Sequence, residues 1–79
     1  MMERDVLVKK LKMKSRRGML ELDLLLTKFC NNEMLKLSLH HLHVFDRFLD
    51  EEDDVLFRWL MGHEACPIAE FEELITSIV

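Results

Sequence analysis

This chain of 79 residues is short of several things, and each scarcity excludes something. It has two glycines and one proline, so it is neither a flexible linker nor a disordered tail, both of which draw heavily on those residues. Two glycines also leave no room for a glycine-rich phosphate loop. Its two cysteines, Cys30 and Cys66, lie far apart and form no C-x-x-C pair. A disulfide framework needs more cysteines in so small a chain, so reduced thiols in a cytosolic protein are expected. Apolar runs such as Leu24 to Leu26 fall far short of the ~20 residues that span a bilayer. Nowhere do Val, Ile or Thr alternate with polar residues over a useful length, which argues against strands.

What the chain does have is helical spacing. A single domain over residues 1–79 is expected at this length, with only about 60% of the unfolded surface buried. Hydrophobic residues make up 49% of the chain, enough for a small core. Apolar residues three and four apart predict five helices. The first covers Asp5 to Lys14, with Leu7, Val8 and Leu11 inward. The second covers Gly18 to Asn31, with Leu22, Leu25, Leu26 and Phe29 as its core face. A short turn from Glu33 to Leu37 leads to Ser38 as N-cap of a third helix, which runs to Leu49 with Val44, Phe45, Phe48 and Leu49 inward. The acids Asp50 to Asp54 separate it from a fourth, which carries Val55, Leu56, Trp59 and Leu60 and stops at Gly62. Pro67 suits the first turn of a fifth, where Ile68, Phe71, Ile75 and Ile78 make a buried stripe. Short connections imply an all-α fold, a small five-helix antiparallel bundle.

Charge is unevenly spread. Up to Arg17 there are seven basic residues against two acids, a net of +5, whereas the remainder has four basic residues against thirteen acids, a net of −9. A basic arm is one signature of nucleic-acid or membrane-surface binding. The acidic body would repel phosphates, so these lysines are read as the solvent face of the first helix, with Arg16 and Arg17 near its negative C-terminal end. No nucleic-acid partner and no membrane insertion are expected. The two acids in the segment also argue against a mitochondrial leader, and a cytoplasmic protein is expected.

No catalytic set can be assembled. His40 and His43 share a helix face at i, i+3, yet no Cys, Asp or Glu completes a metal site at i+4. Ser15, Ser38 and Ser77 have capping or surface explanations. Met residues read as core filling, and Trp59 as core rather than an exposed anchor. The chain therefore reads as a non-enzymatic domain whose trade is binding another protein.

The most informative stretch is S-R-R-G-M-L-E-L-D-L-L-L, Ser15 to Leu26. At ~100° per residue, Arg17, Glu21, Leu24 and Lys28 share a face separate from the core face, with Leu20 beside it. Gly18 between the two faces would let another backbone approach closely, and exposed leucines beside fixed charge make a docking surface. Equally, Gly18 could be an N-cap or a turn, with Glu21 serving first-turn amides and Leu20 and Leu24 packing under the first helix. The residues accommodate both readings.

R-R-G-M-L-E-L-D, Arg16 to Asp23, resembles the R-G-x-x-E signature of the succinate dehydrogenase flavinylation factors, small assembly factors of bacteria and mitochondria. Leu37-Ser38 resembles that family's cap of the third helix, and D-x-L-F-x-W-L-M-x-H from Asp54 to His63 resembles its fourth. The resemblance implies a five-helix fold and an assembly chaperone that promotes covalent attachment of FAD to the flavoprotein subunit of succinate dehydrogenase, and in some bacteria of fumarate reductase. The flavoprotein itself forms the bond. The helper is then no enzyme and binds no cofactor stably, FAD being the cofactor installed in the partner. Carried over, the docking surface comprises Arg17, Gly18 and Glu21, with Arg16, Asp23, Leu20 and Leu24 around them. One departure is Leu39-His40-His41 after the Ser cap, where the family often has acids; it forgoes a favourable dipole interaction outside the signature. Relatives have also been described as antitoxin partners of a small membrane-associated toxin, which makes a regulatory interaction module the alternative. A monomer is expected.

Overall fold

The computed structural model describes residues 2–79 and, among them, five α-helices and no strand. The helices are α1 (Met2–Lys14), α2 (Leu20–Asn32), α3 (Leu39–Phe48), α4 (Asp53–Leu60) and α5 (Ala69–Ile78), with a single 3₁₀ turn at Met34–Lys36. The all-α reading of the sequence holds, and most limits fall within two or three residues of expectation.

Local signals account for the ends that were read correctly. Ser38 Oγ accepts the His41 backbone N–H at 3.1 Å and so caps α3. Gly62 has φ +74°, a left-handed conformation that glycine adopts without penalty. Around it the Gly62 N–H donates to Trp59 O at 3.3 Å and the His63 N–H to Arg58 O at 2.9 Å, the paired bonds of a Schellman stop.

Three expectations are corrected. Pro67 lies before α5, not in its first turn, because Ile68 is extended (φ −103°, ψ 109°) and acts as the N-cap. The buried face of α5 is Phe71, Leu74 and Ile78, with Ile68 and Ile75 only half-buried. With Ile68 at the cap and outside the helix, the inward stripe centres on Phe71, Leu74 and Ile78, which stand three and four residues apart. Likewise α2 starts at Leu20, two residues later than expected, so Gly18 stands outside it.

The core is aromatic at its centre. Phe48 is fully buried and meets Phe71 edge-on at 5.3 Å, Trp59 at 6.3 Å and Phe45 at 6.4 Å between ring centroids. Phe29 of α2 meets Phe45 edge-on at 5.1 Å. Such pairs favour these offset and edge geometries, each adding about 0.5–1.5 kcal/mol beyond burial. Helix α1 contributes less apolar surface, chiefly Leu7 and Leu11, and lies against α3.

Charge fastens α1 there. Lys14 Nζ donates to Asp46 Oδ1 at 2.6 Å, to Asp46 O at 2.9 Å and to Asp50 Oδ1 at 2.5 Å, and Lys10 Nζ reaches Asp46 Oδ2 at 3.1 Å. These two lysines therefore face another helix and not only solvent. Burial alone would raise the Asp46 carboxyl, but the two ammonium groups outweigh it and hold Asp46 below the usual carboxylate range. Burial would lower Lys14, yet its bonds to Asp46 and Asp50 leave it raised.

A depressed folded-state carboxyl contributes stability that is complete above its unfolded pKa, about 3.9, and is lost as pH falls through the folded value. Lys14→Met should cost about 1–2 kcal/mol, a fall in Tm of about 5–10 °C near neutral pH. Circular-dichroism melts should show the gap between wild type and variant closing as pH falls from about 5 through the depressed Asp46 value. A gap that stays constant over that range would show that the Lys14–Asp46 charge pair contributes nothing.

Candidate partner-docking site

The stretch singled out in the sequence forms the loop from Ser15 to Met19 and the start of α2. The loop begins where α1 runs out. The Ser15 N–H donates to Leu11 O at 2.9 Å and its hydroxyl to the same oxygen at 2.8 Å, while Ser15 Oγ and Cys30 Sγ stand 3.1 Å apart. Ser15 is thereby satisfied although almost wholly buried.

Arg17 does not lie on an exposed face of α2 in register with Glu21, Leu24 and Lys28. It precedes the helix, whose N-cap is Met19, and its side chain is only 12% exposed. Its guanidinium turns towards the α3–α4 connection, where it donates to Leu49 O, to Glu51 O at 3.0 Å and to Asp53 Oδ1 at 3.2 Å. Nε donates to Lys14 O at 3.0 Å. The planar fork of arginine suits this divergent set of acceptors, and a lysine could not reproduce it.

Asp53 and Asp23 complete the brace. Asp53 Oδ2 accepts the Met19 N–H at 3.3 Å, so the first turn of α4 serves an amide at the start of α2. Asp23 Oδ1 accepts the Arg17 N–H at 2.7 Å and Arg16 Nε at 3.1 Å. The backbone bond from Arg17, supported by Arg16, holds the Asp23 carboxyl below its ordinary range.

The loop presents its other residues outward. Gly18 is exposed, its φ is unremarkable, and a Cβ built on it would meet no heavy atom within 4 Å. Nothing in the chain's own fold requires glycine at that position, and no backbone of the chain approaches it. Beside it are exposed Glu21, which makes no ion pair among the described residues, and Arg16. Leu20 and Leu24 are 64% and 60% exposed; they do not pack under α1. Five of the seven residues expected on the surface, namely Arg16, Gly18, Leu20, Glu21 and Leu24, are therefore exposed. Arg17 and Asp23 hold the loop from within.

Asp53 is the residue that sequence reasoning missed. An acidic run from Asp50 to Asp54 was visible, but no local spacing says which of its members reaches a loop 34 residues away. The histidines go to separate partners: His41 Nδ1 lies 2.8 Å from Ser38 Oγ, and His43 Nε2 lies 3.6 Å from Glu3. Among the described residues no three His, Cys, Asp or Glu side chains gather around a possible metal position, and no helix is long and apolar enough to cross a membrane.

Comparison with known proteins finds relatives over most of the chain. A family profile described as "Flavinator of succinate dehydrogenase" matches residues 9–79. The chain is similar to the FAD assembly factor SdhE of Xylella fastidiosa (strain 9a5c), 46% identical over 77 residues that cover 98% of this chain and 79% of that protein. It is similar to the FAD assembly factor SdhE of Legionella pneumophila (strain Paris), 51% identical over 65 residues, 82% of this chain and 81% of the relative. The FAD assembly factor SdhE of Coxiella burnetii is 40% identical over 70 residues, 89% of this chain and 85% of the relative. No solved structure matches the chain.

The brace and the bare glycine separate in experiment. Arg17→Ala should destabilise the fold by about 2–3 kcal/mol, because several carbonyls and Asp53 lose their partner together, and Arg17→Lys should recover only part of it. Gly18→Arg should change stability by no more than about 0.5 kcal/mol, as expected for an open surface position. Urea unfolding of the three variants checks this; equal stability of Arg17→Ala and wild type would remove the brace.

Proposed function

The chain belongs to the family of succinate dehydrogenase flavinators, and from that membership we propose that it is an assembly chaperone that binds the flavoprotein subunit of succinate dehydrogenase, or of fumarate reductase, and promotes covalent attachment of FAD to it. One observation carries the reading: an exposed surface centred on Gly18, where a side chain would find open space, rests on a loop fixed from behind by Arg17, Asp23 and Asp53. A surface held rigid before binding loses little entropy on docking.

On this reading Gly18 admits a close approach by the partner, Glu21 offers a carboxylate to it, and Leu20 and Leu24 supply apolar contact, with Arg16 at the edge. Arg17 and Asp23 are positioning residues, acting through the loop they hold. The chaperone keeps a mobile FAD-binding domain of the flavoprotein in the arrangement that aligns FAD with its acceptor histidine. Alignment of two reactants can lower a barrier by several kcal/mol, up to about 7–11 in the best cases. The chaperone supplies no catalytic group and holds no FAD of its own; the flavoprotein does the chemistry. It acts as a monomer in the cytoplasm.

The test is covalent flavin fluorescence of the flavoprotein subunit on a denaturing gel, from cells that lack their own factor. Wild type should restore the signal, Gly18→Arg should abolish it at unchanged stability, and Glu21→Ala should reduce it. Equal signal with wild type, with Gly18→Arg and with no factor would overturn the proposed function for that flavoprotein.

A further inference from the structure

A groove of about 330 Å³ opens between the end of α1 and the C-terminal half of α2, with Arg16 of the Gly18 loop on its lining. Lys12, Met13 and Arg16 line one side, Thr27 and Cys30 the other, and the Ser15–Cys30 contact closes its floor. Leu20, Leu24 and Thr27 follow at i, i+4 and i+7 along α2, so the exposed leucine stripe runs into the groove without a break.

Three features show what would fill it. The walls are largely apolar, and Met13 stands at the rim 77% exposed, so an apolar group seated there would be shielded from water. Thr27 Oγ1 is buried yet has no hydrogen-bond partner, an unmet polar demand. The rim is basic: Lys9, Lys12 and Met13 share one face of α1, and among the described residues neither Lys9 nor Lys12 makes an ion pair, whereas Lys10 and Lys14 are taken up by Asp46 and Asp50. Lys12 is close enough for its charge to act on the Cys30 thiol, which burial otherwise pushes up.

We propose, building on the function inferred above, that this groove and its basic rim are a contiguous second part of the docking surface, and that they receive an apolar side chain of the flavoprotein subunit flanked by a carboxylate. The apolar group seats against Met13, a backbone polar group of the same segment meets Thr27 Oγ1, and the carboxylate meets Lys12. The chain is acidic overall, at −4, so an acidic segment is favoured where Lys9 and Lys12 stand outside any ion pair among the described residues.

The experiment is calorimetric titration of the isolated flavoprotein subunit with the full chain, at low and at moderate NaCl. The variants are Lys12→Glu and Met13→Glu, both at exposed positions, with Gly18→Arg for reference and Lys36→Glu, on the 3₁₀ turn, as a charge control. Each groove variant should weaken binding about tenfold or more, and Lys36→Glu by no more than about twofold. Lys12→Glu should also flatten the salt dependence seen with wild type. Groove variants that bind like wild type while Gly18→Arg does not would overturn the groove and leave the proposed function standing. If wild type itself fails to bind, both fall. A wild-type self-association in sedimentation that Lys12→Glu abolishes, with flavoprotein binding intact, would assign the groove to a second copy of the chain and overturn the proposal.

Discussion

The Arg17 guanidinium joins parts of the chain that no short-range rule would connect. Its acceptors, Leu49 O, Glu51 O and Asp53 Oδ1, all belong to the passage from α3 to α4. Leu49 is the C-cap of α3, so its carbonyl is one of the unpaired groups at the negative end of that helix. Asp53 opens α4, where a carboxylate is favoured by the opposite end of the dipole. One cation thus answers an exposed helix C-terminus and a helix N-terminal acid together. The α3–α4 turn and the α1–α2 loop fix each other.

That mutual fixing explains how a loop with an exposed glycine at its apex can be an ordered feature. Met19, the N-cap of α2, offers no side-chain cap of its own, and its N–H is served by Asp53 instead. Arg17 has its backbone N–H taken by Asp23 and its side chain by the α3–α4 turn. Only the outward edge of the loop is left without internal duties. Gly18, Leu20, Glu21 and Leu24 owe the fold almost nothing, whereas Arg17 and Asp23 owe it a great deal. A stretch that reads as one patch in sequence is therefore two populations in space, one exposed and one holding the loop.

Periodic elements were legible because their causes are local. The spacing of Leu22, Leu26 and Phe29 made α2 readable, and Ser38 and Gly62 marked ends through bonds within five residues of themselves. The N-terminus of α2 was not legible for the converse reason. With no capping side chain at Met19, its start depends on Asp53 34 residues away, and a helical wheel begun at Gly18 turned Arg17 outward. The groove beside Cys30 was hidden for a similar reason, since its lining joins α1, the loop and α2, with Ser15 and Cys30 meeting 15 residues apart in sequence. Pro67 misled in a smaller way: proline is as compatible with the residue before an N-cap as with the first turn, and the extended Ile68 decides between them.

The polarity of the chain has a structural use that net charge conceals. The α3–α5 half is held by aromatic contacts around Phe48, whereas α1 and its loop bury little beyond Leu7, Leu11 and Ser15. What secures that segment is ionic: Lys10 and Lys14 to Asp46 and Asp50, Arg17 to Asp53, Arg16 to Asp23. A first helix rich in lysine and a body rich in acids are therefore complementary partners within one fold. The cations that remain unpaired on α1 are a remainder left after this internal matching, and Lys12 of that remainder lies along the groove that continues the Leu20–Leu24 stripe. Charge left over by folding is charge available for recognition, and Lys12 is the part of it that lines this groove.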